Sequence, residues 1–148
     1  MTDTTKYEAL KLENQLCFPL YAASREVIKK YRPYLDELRL TYTQYIAMMV
    51  FWEEKKISVK NLGKKLFLDS GTLTPVLKSL ESKGYVIRSR SKEDERVLDV
   101  EITEKGEALK ELAVCVPQSV AGCVKLDADE AVQLYQLLYK LLGTLKDG

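Results

Sequence analysis

The sequence predicts a mainly α-helical fold with one small β-hairpin, on three observations. Apolar residues recur at helical spacing along most of the 148 residues, with capping signals between the segments. Two short runs of partly alternating apolar and polar residues, Tyr85–Arg90 and Val97–Ile102, flank the polar turn Ser91–Arg96. No Gly/Ser linker, low-complexity tract or internal repeat divides the chain, so residues 1–148 read as a single domain.

Each element follows from its residues. Leu16, Leu20, Val27, Ile28 and Tyr31 predict one long amphipathic helix over about 7–31, interrupted at Arg32-Pro33. In Thr41-Tyr42-Thr43-Gln44 a hydroxyl caps a new helix while the glutamine reaches back three residues, a capping box. Ile46, Met49 and Val50 form its inward face. Ser58 caps a short third helix holding Val59, Leu62 and Leu66. Phe67-Leu68-Asp69 turns into a fourth helix over about 70–83, which Gly84 closes where a left-handed residue is favoured. After the hairpin, Thr103 caps a fifth helix with Leu109, Leu112, Ala113 and Val116 on one face, bent or ended by Pro117. Asp127 and Glu130 make a last capping box before Leu134, Leu137, Leu138, Leu141, Leu142 and Leu145. A terminal helix so rich in leucine exposes more apolar surface than a small monomer tolerates. It predicts a dimer held by the terminal segments, about 7–31 and 104–146, around a central region at about 40–102.

Composition narrows the function classes. Histidine is absent, which removes the commonest general base and metal ligand and disfavours hydrolases and zinc enzymes. No metal or organic cofactor is expected, and the chain reads as a non-enzyme. Three cysteines are too few for a disulfide framework and read as free thiols. No apolar run is long enough to span a bilayer, and the polar stretch Met1–Lys11 lacks a signal-peptide centre, so no membrane partner and a cytoplasmic location are expected. The net charge of +1 hides an uneven distribution. From Lys55 to Lys92 there are ten Lys and Arg against Asp69 and Glu81 alone, while the rest of the chain carries 13 basic and 20 acidic residues. A basic middle between acidic ends is an electrostatic footprint for a polyanion.

A short helix, a tight turn, a second helix and a charged hairpin is the order of a winged helix-turn-helix. On the second helix, Leu73, Val76, Leu77 and Leu80 share one face, while Gly71, Pro75, Lys78 and Ser82 lie opposite with Thr74 beside them. An outer face this small and hydroxyl-rich permits close approach to base edges in a major groove, where Lys78 reaches a phosphate or a guanine. Ser70 and Thr72, at the helix start, offer backbone N–H groups to phosphates. Arg88, Arg90, Lys92 and Arg96 cluster on or beside the hairpin tip, chemistry suited to a narrow minor groove, with Asp94 placed to hold the Arg96 guanidinium. One such helix per subunit of a dimer requires a pseudo-palindromic duplex with half-sites about one helical turn apart.

The stretch Leu68-Asp69-Ser70-Gly71-Thr72-Leu73-Thr74-Pro75, followed by Asp94-Glu95-Arg96, resembles the multiple-antibiotic-resistance regulator (MarR) family. Leu12-Glu13-Asn14-Gln15-Leu16-Cys17-Phe18 and Leu40-Thr41-Tyr42-Thr43-Gln44-Tyr45 are similar to its organic-hydroperoxide-resistance (OhrR) type. The resemblance covers about residues 10–145. It implies a homodimeric repressor that binds operator DNA and lets go when an N-terminal cysteine, here Cys17, is oxidised by organic hydroperoxide. It also implies that Tyr31 and Tyr42 hydrogen-bond the reactive sulfur. Tyr21 sits one helical turn after Cys17 as a further support. A free thiol, with a pKa of roughly 8.5, is mostly protonated at neutral pH and needs such donors to favour its anion.

Two-cysteine members of the family form a disulfide with the partner subunit, and one-cysteine members are capped by a small thiol. Cys123 follows Val116-Pro117 as the second thiol does in the former group, whereas Cys115 precedes the proline and reads as structural. Both outcomes of oxidation stay open at this stage. Two competing readings are a regulator of the same fold released by a small phenolic ligand and, more remotely, a thiol peroxidase with Cys17 as nucleophile. The second lacks both a histidine and a thioredoxin-like βαβ pattern.

Overall fold

The computed structural model describes residues 5–146; residues 1–4 of the polar N-terminal stretch and 147–148 lie outside the described residues. The chain divides into two compact units at Val116/Pro117. The first begins with 3-10 turns at Thr5–Leu10 and Leu12–Asn14. Then follow α1 (Cys17–Leu38), α2 (Tyr42–Glu54), β1 (Lys56–Ser58), α3 (Val59–Leu66), α4 (Ser70–Ser82), β2 (Val86–Arg90), β3 (Leu98–Ile102) and α5 (Glu104–Ala113). Helix α6 (Val116–Ala121) opens the second unit, which consists mainly of α7 (Ala128–Lys146).

The first helix departs from the sequence expectation at both ends. It starts at Cys17 rather than near residue 7, because Pro19 occupies its first turn, where a missing N–H costs nothing. The residues before it fold back instead, with Asn14 and Gln15 side chains donating to Glu8 O, Ala9 O and Lys11 O. Nor does Pro33 stop it: the ring forfeits one backbone bond, and burial of Leu35 and Leu38 carries the helix through. The hairpin is observed as β2 and β3 in antiparallel register, Val86 opposite Ile102 and Arg90 opposite Leu98. A third strand joins it, β1, which pairs Ile57 with Val100 and gives the order β1-β3-β2.

Around the sheet, the core of this unit is built from Leu35, Leu38, Leu40, Tyr45, Met48, Phe51, Leu62, Leu73, Leu77, Leu80, Val86 and Val100. The buried face of α2 is shifted from the expected one: Val50 lies inside as expected, together with Gln44, Tyr45, Ala47, Met48 and Phe51, while Met49 is exposed and Ile46 half-buried. In α5 the buried residues are Gly106, Leu109 and Ala113, and Leu112 points outward.

The capping residues stand where the sequence places them. Thr41 and Gln44 exchange both hydrogen bonds of a capping box, Ser58 Oγ accepts from Asn61 N–H, and Thr103 Oγ1 accepts from Gly106 N–H. In the second unit, Asp127 and Glu130 exchange theirs at 2.8 and 3.1 Å.

Three helices close on a left-handed residue: α1 on Arg39, α3 on Phe67 and α4 just before Gly84, with φ of 57°, 57° and 82°. At each, the next residue's N–H reaches back a full turn and more, as Leu40 N–H does to Leu35 O. The turn after α3 is tight enough that a Cβ on Gly63 would lie 2.6 Å from Leu68 O. Only glycine lets α3 and α4 meet this closely. Since Arg39 is exposed and a side chain in the left-handed region is strained, Arg39→Gly is expected to raise stability by about 0.5–1 kcal/mol. Urea unfolding of the two proteins checks this; a loss of stability would show that the arginine side chain contributes more than the strain costs.

Candidate nucleic-acid interface and thiol site

Helix α4 is seated by Leu73, Leu77 and Leu80, each at most 1% exposed. Its outer face presents Gly71, Thr74, Pro75, Lys78 and Ser82 to solvent, the arrangement expected from the sequence. Two details differ. Asp69 caps the helix, its Oδ1 accepting from Thr72 N–H at 2.7 Å, so that donor is already used and the phosphate-facing donors of the sequence reading reduce to those of Ser70 and Gly71. The Thr74 hydroxyl donates back to Ser70 O at 2.8 Å, which fixes its rotamer.

The wing is ordered at its tip. Ser91 N–H donates to Val97 O and Val97 N–H to Asp94 O. The Asp94 carboxylate accepts from Arg96 N–H, Nε and Nη2 at 3.0–3.2 Å, which holds the guanidinium as expected while its side chain stays 91% exposed. Those bonds from Arg96 keep the Asp94 carboxyl below the usual carboxylate range. Arg90 and Lys92 are exposed beside it. Arg88 is not at the tip. It lies in the middle of β2 and is bound to Glu81 of α4, a non-local pairing that no local sequence pattern reveals.

Sequence reasoning also missed a polar hub behind α4. The Gln44 amide, 7% exposed, accepts from Thr41 N–H and from Lys83 Nζ and donates to Ser79 Oγ at 2.9 Å. Lys83 Nζ also donates to Arg39 O, and its burial holds the ammonium pKa below the usual lysine range. The end of α1, the start of α2 and the end of α4 meet there. Thr41 and Gln44 are a visible capping signal, but the reach to Ser79, 35 residues on, is not local.

Cys17 is the first residue of α1 and is exposed, as are Leu16, Phe18 and Leu20 around it. Tyr21 is exposed one turn later, with the Arg25 guanidinium 5.2 Å from its ring centre. Tyr31 and Tyr42 come together at the far end of the helix, their ring centres 5.0 Å apart, with Tyr45 5.8 and 6.2 Å from the two. Burial, then the neighbouring Tyr31, pushes the Tyr42 phenol up, and the same causes with Tyr42 push Tyr45 up to about 12. Both therefore remain O–H donors throughout the neutral range. Tyr31 follows Cys17 by 14 residues of continuous helix. At 1.5 Å per residue this sets them about 21 Å apart along the axis, so the structure does not bring this chain's tyrosine cluster to its own Cys17. Cys115 and Cys123 are exposed, and their Sγ atoms lie 3.8 and 3.9 Å from Leu112 O and Ser119 O.

A deeply seated helix with a small outer face, a tight glycine turn before it and a basic wing after it define a winged helix-turn-helix DNA-binding protein. Comparison with known proteins agrees. The profile of the SarA/Rot transcriptional regulators matches residues 26–112. The organic hydroperoxide resistance transcriptional regulator of Bacillus subtilis is 50% identical over 140 residues, 95% of each chain. AbfR of Staphylococcus epidermidis, in its reduced form bound to DNA, is 34% identical with a TM-score of 0.79 over 97% of this chain and 98% of that one. Its disulfide-formed structure gives 0.60 at the same identity over 99% and 97%. A MarR variant of E. coli complexed with operator DNA is 29% identical, with a TM-score of 0.74 over 86% and 93%. The chain belongs to the MarR/SarA family of winged-helix transcriptional regulators. Among the described residues no helix is long and apolar enough to cross a membrane.

The two probes give separable expectations. Arg96→Ala should weaken DNA binding and lower its salt dependence by about one unit in log Kd against log salt, if the guanidinium contacts the backbone of the minor groove. Lys78→Ala should weaken binding by about 1–3 kcal/mol on a preferred duplex and far less on random DNA, if it reads a base. Fluorescence-anisotropy titrations at several salt concentrations measure both; equal losses on the two duplexes would make Lys78 a phosphate contact.

Proposed function

We propose that this protein is a redox-sensing repressor: a homodimer that binds a pseudo-palindromic operator and is released when organic hydroperoxide oxidises Cys17. The observation that carries this reading is an exposed thiol at the head of α1 in a chain half identical to a regulator of organic hydroperoxide resistance. Apolar surface on the terminal helices supports the dimer. Helix α7 buries none of its described residues, and Val27 and Ile28 of α1 are exposed along with Phe18 and Leu20.

The 21 Å along α1 gives this dimer a chemical role. Phenol donors that stabilise the Cys17 thiolate come from Tyr31 and Tyr42 of the other subunit, since those of the same chain are out of reach. Thiolate attack on ROOH transfers one oxygen to sulfur, giving Cys17 sulfenic acid and the alcohol ROH. The thiol of Cys123 from the other subunit then displaces water, forming a disulfide; a small thiol does the same where no protein thiol arrives first. A disulfide needs Cα atoms within about 7 Å, so its formation shifts the helices that set the spacing of the two recognition helices. In AbfR, the reduced DNA-bound and disulfide-formed structures differ in their match to this chain, which supports a coupling of oxidation to shape.

Cys17→Ser is expected to bind DNA normally and to ignore cumene hydroperoxide, with salicylate as the control for ligand-induced release. A dimer-sized band on a non-reducing gel should vanish in Cys17→Ser and Cys123→Ser and persist in Cys115→Ser; release without a band identifies capping by a small thiol. In a mixed dimer of one Cys17→Ser subunit and one Tyr31→Phe, Tyr42→Phe subunit, the remaining thiol should oxidise at the wild-type rate. Slow oxidation there would place the supporting tyrosines in the same chain and overturn the proposed geometry.

A further inference from the structure

We propose that Glu81 is a positioning residue for DNA binding: its carboxylate locks the wing to the recognition helix, and Arg88 is the other half of that lock rather than a DNA contact. Three hydrogen bonds carry the inference. Glu81 Oε2 accepts from the Arg88 backbone N–H at 2.8 Å, and Oε1 accepts from Arg88 Nε and Nη2 at 3.2 and 3.1 Å. One residue of the wing is thus held through both its main chain and its guanidinium, which restrains β2 in translation and in rotation against α4. The backbone bond is available because β2 is the edge of the sheet, with order β1-β3-β2, so an outward N–H of this strand has no neighbouring strand to receive it.

The placement of the acid points the same way. Glu81 lies in the last turn of α4, where the helix dipole disfavours a negative charge, so it is not there for the helix's own stability. An unpaired carboxylate beside the recognition helix would also repel phosphates, and pairing with Arg88 cancels that charge. The Arg88 side chain is 23% exposed against 91% for Arg96, which separates a structural guanidinium from one free to enter a groove. A duplex presents the major groove and the flanking minor groove at a fixed offset. A recognition helix and a wing must therefore be held at a matching offset if both are to bind together, and the lock sets it.

The two roles of Arg88 predict opposite signs for one substitution. The probes are a duplex selected by this protein from a random-sequence pool and the same duplex shortened to remove the flanks that the wing covers. With a positioning role, Glu81→Gln weakens binding to the full duplex five- to tenfold, binds the shortened duplex as wild type does, and loses hydroxyl-radical protection in the flanking minor grooves alone. Glu81→Met, which keeps the length of the side chain without its charge, gives the same pattern and serves as the test should Glu81→Gln fail to fold by circular dichroism. Tighter binding by Glu81→Gln would mean that the acid restrains a DNA-contacting arginine, and would overturn the proposal. Equal weakening on both duplexes would reduce the pair to a general contributor to folding, and would overturn it too.

Discussion

A buried amide fixes the geometry of this protein. Gln44 sits where the end of α1, the start of α2 and the end of α4 converge, and an amide taken out of water must find partners for both its ends. It finds them on three sides, in Thr41, Lys83 and Ser79. The leucines of α4 determine that the helix is buried, but apolar contacts are non-directional and tolerate sliding and rotation. The amide does not tolerate them, since any slip leaves a polar group unpaired. The corner that carries Tyr42 and the whole of α4 are thereby held in one arrangement.

The charge count of the sequence takes on a different meaning once partners are known. Of the ten basic residues between Lys55 and Lys92, Lys55, Lys65 and Arg88 face Glu107, Glu54 and Glu81, and Lys83 is spent on the Gln44 hub. The exposed remainder is Lys56, Lys60, Lys64, Lys78, Arg90 and Lys92. The exposed ion pairs stabilise the fold little. What they leave exposed lies on β1, α3, α4 and the wing.

What could be read in advance was local. Thr41 with Gln44, Ser58, Thr103, Gly84 and Asp127 with Glu130 announce helix ends because a cap acts over three residues, and all are found in place. The outer face of α4 was legible for the same reason, as helical spacing sorts residues into faces. The bounds of α1 differ from those that periodicity predicts because apolar spacing runs on through Pro19 at one end and burial of Leu35 and Leu38 outweighs Pro33 at the other. Three-residue β1 exists only by pairing with β3, some 43 residues away, and has no signature of its own. Glu81 with Arg88 and Gln44 with Ser79 are tertiary in the same sense. Cys17 and the tyrosines were each identifiable, but their separation along one helix emerges only when that helix is seen to be continuous.

The two carboxylate clamps have a consequence for the chemical environment in which the protein can work. Glu81 and Asp94 are held below the ordinary carboxylate range by their hydrogen bonds from Arg88 and Arg96, so both stay charged through the neutral range. Tyr42 and Tyr45 are pushed the other way, and the chain has no imidazole to titrate between. Around neutral pH the two clamps and the Tyr42 and Tyr45 phenols therefore keep one state of protonation, and the attachment of the wing is insulated from small swings in acidity.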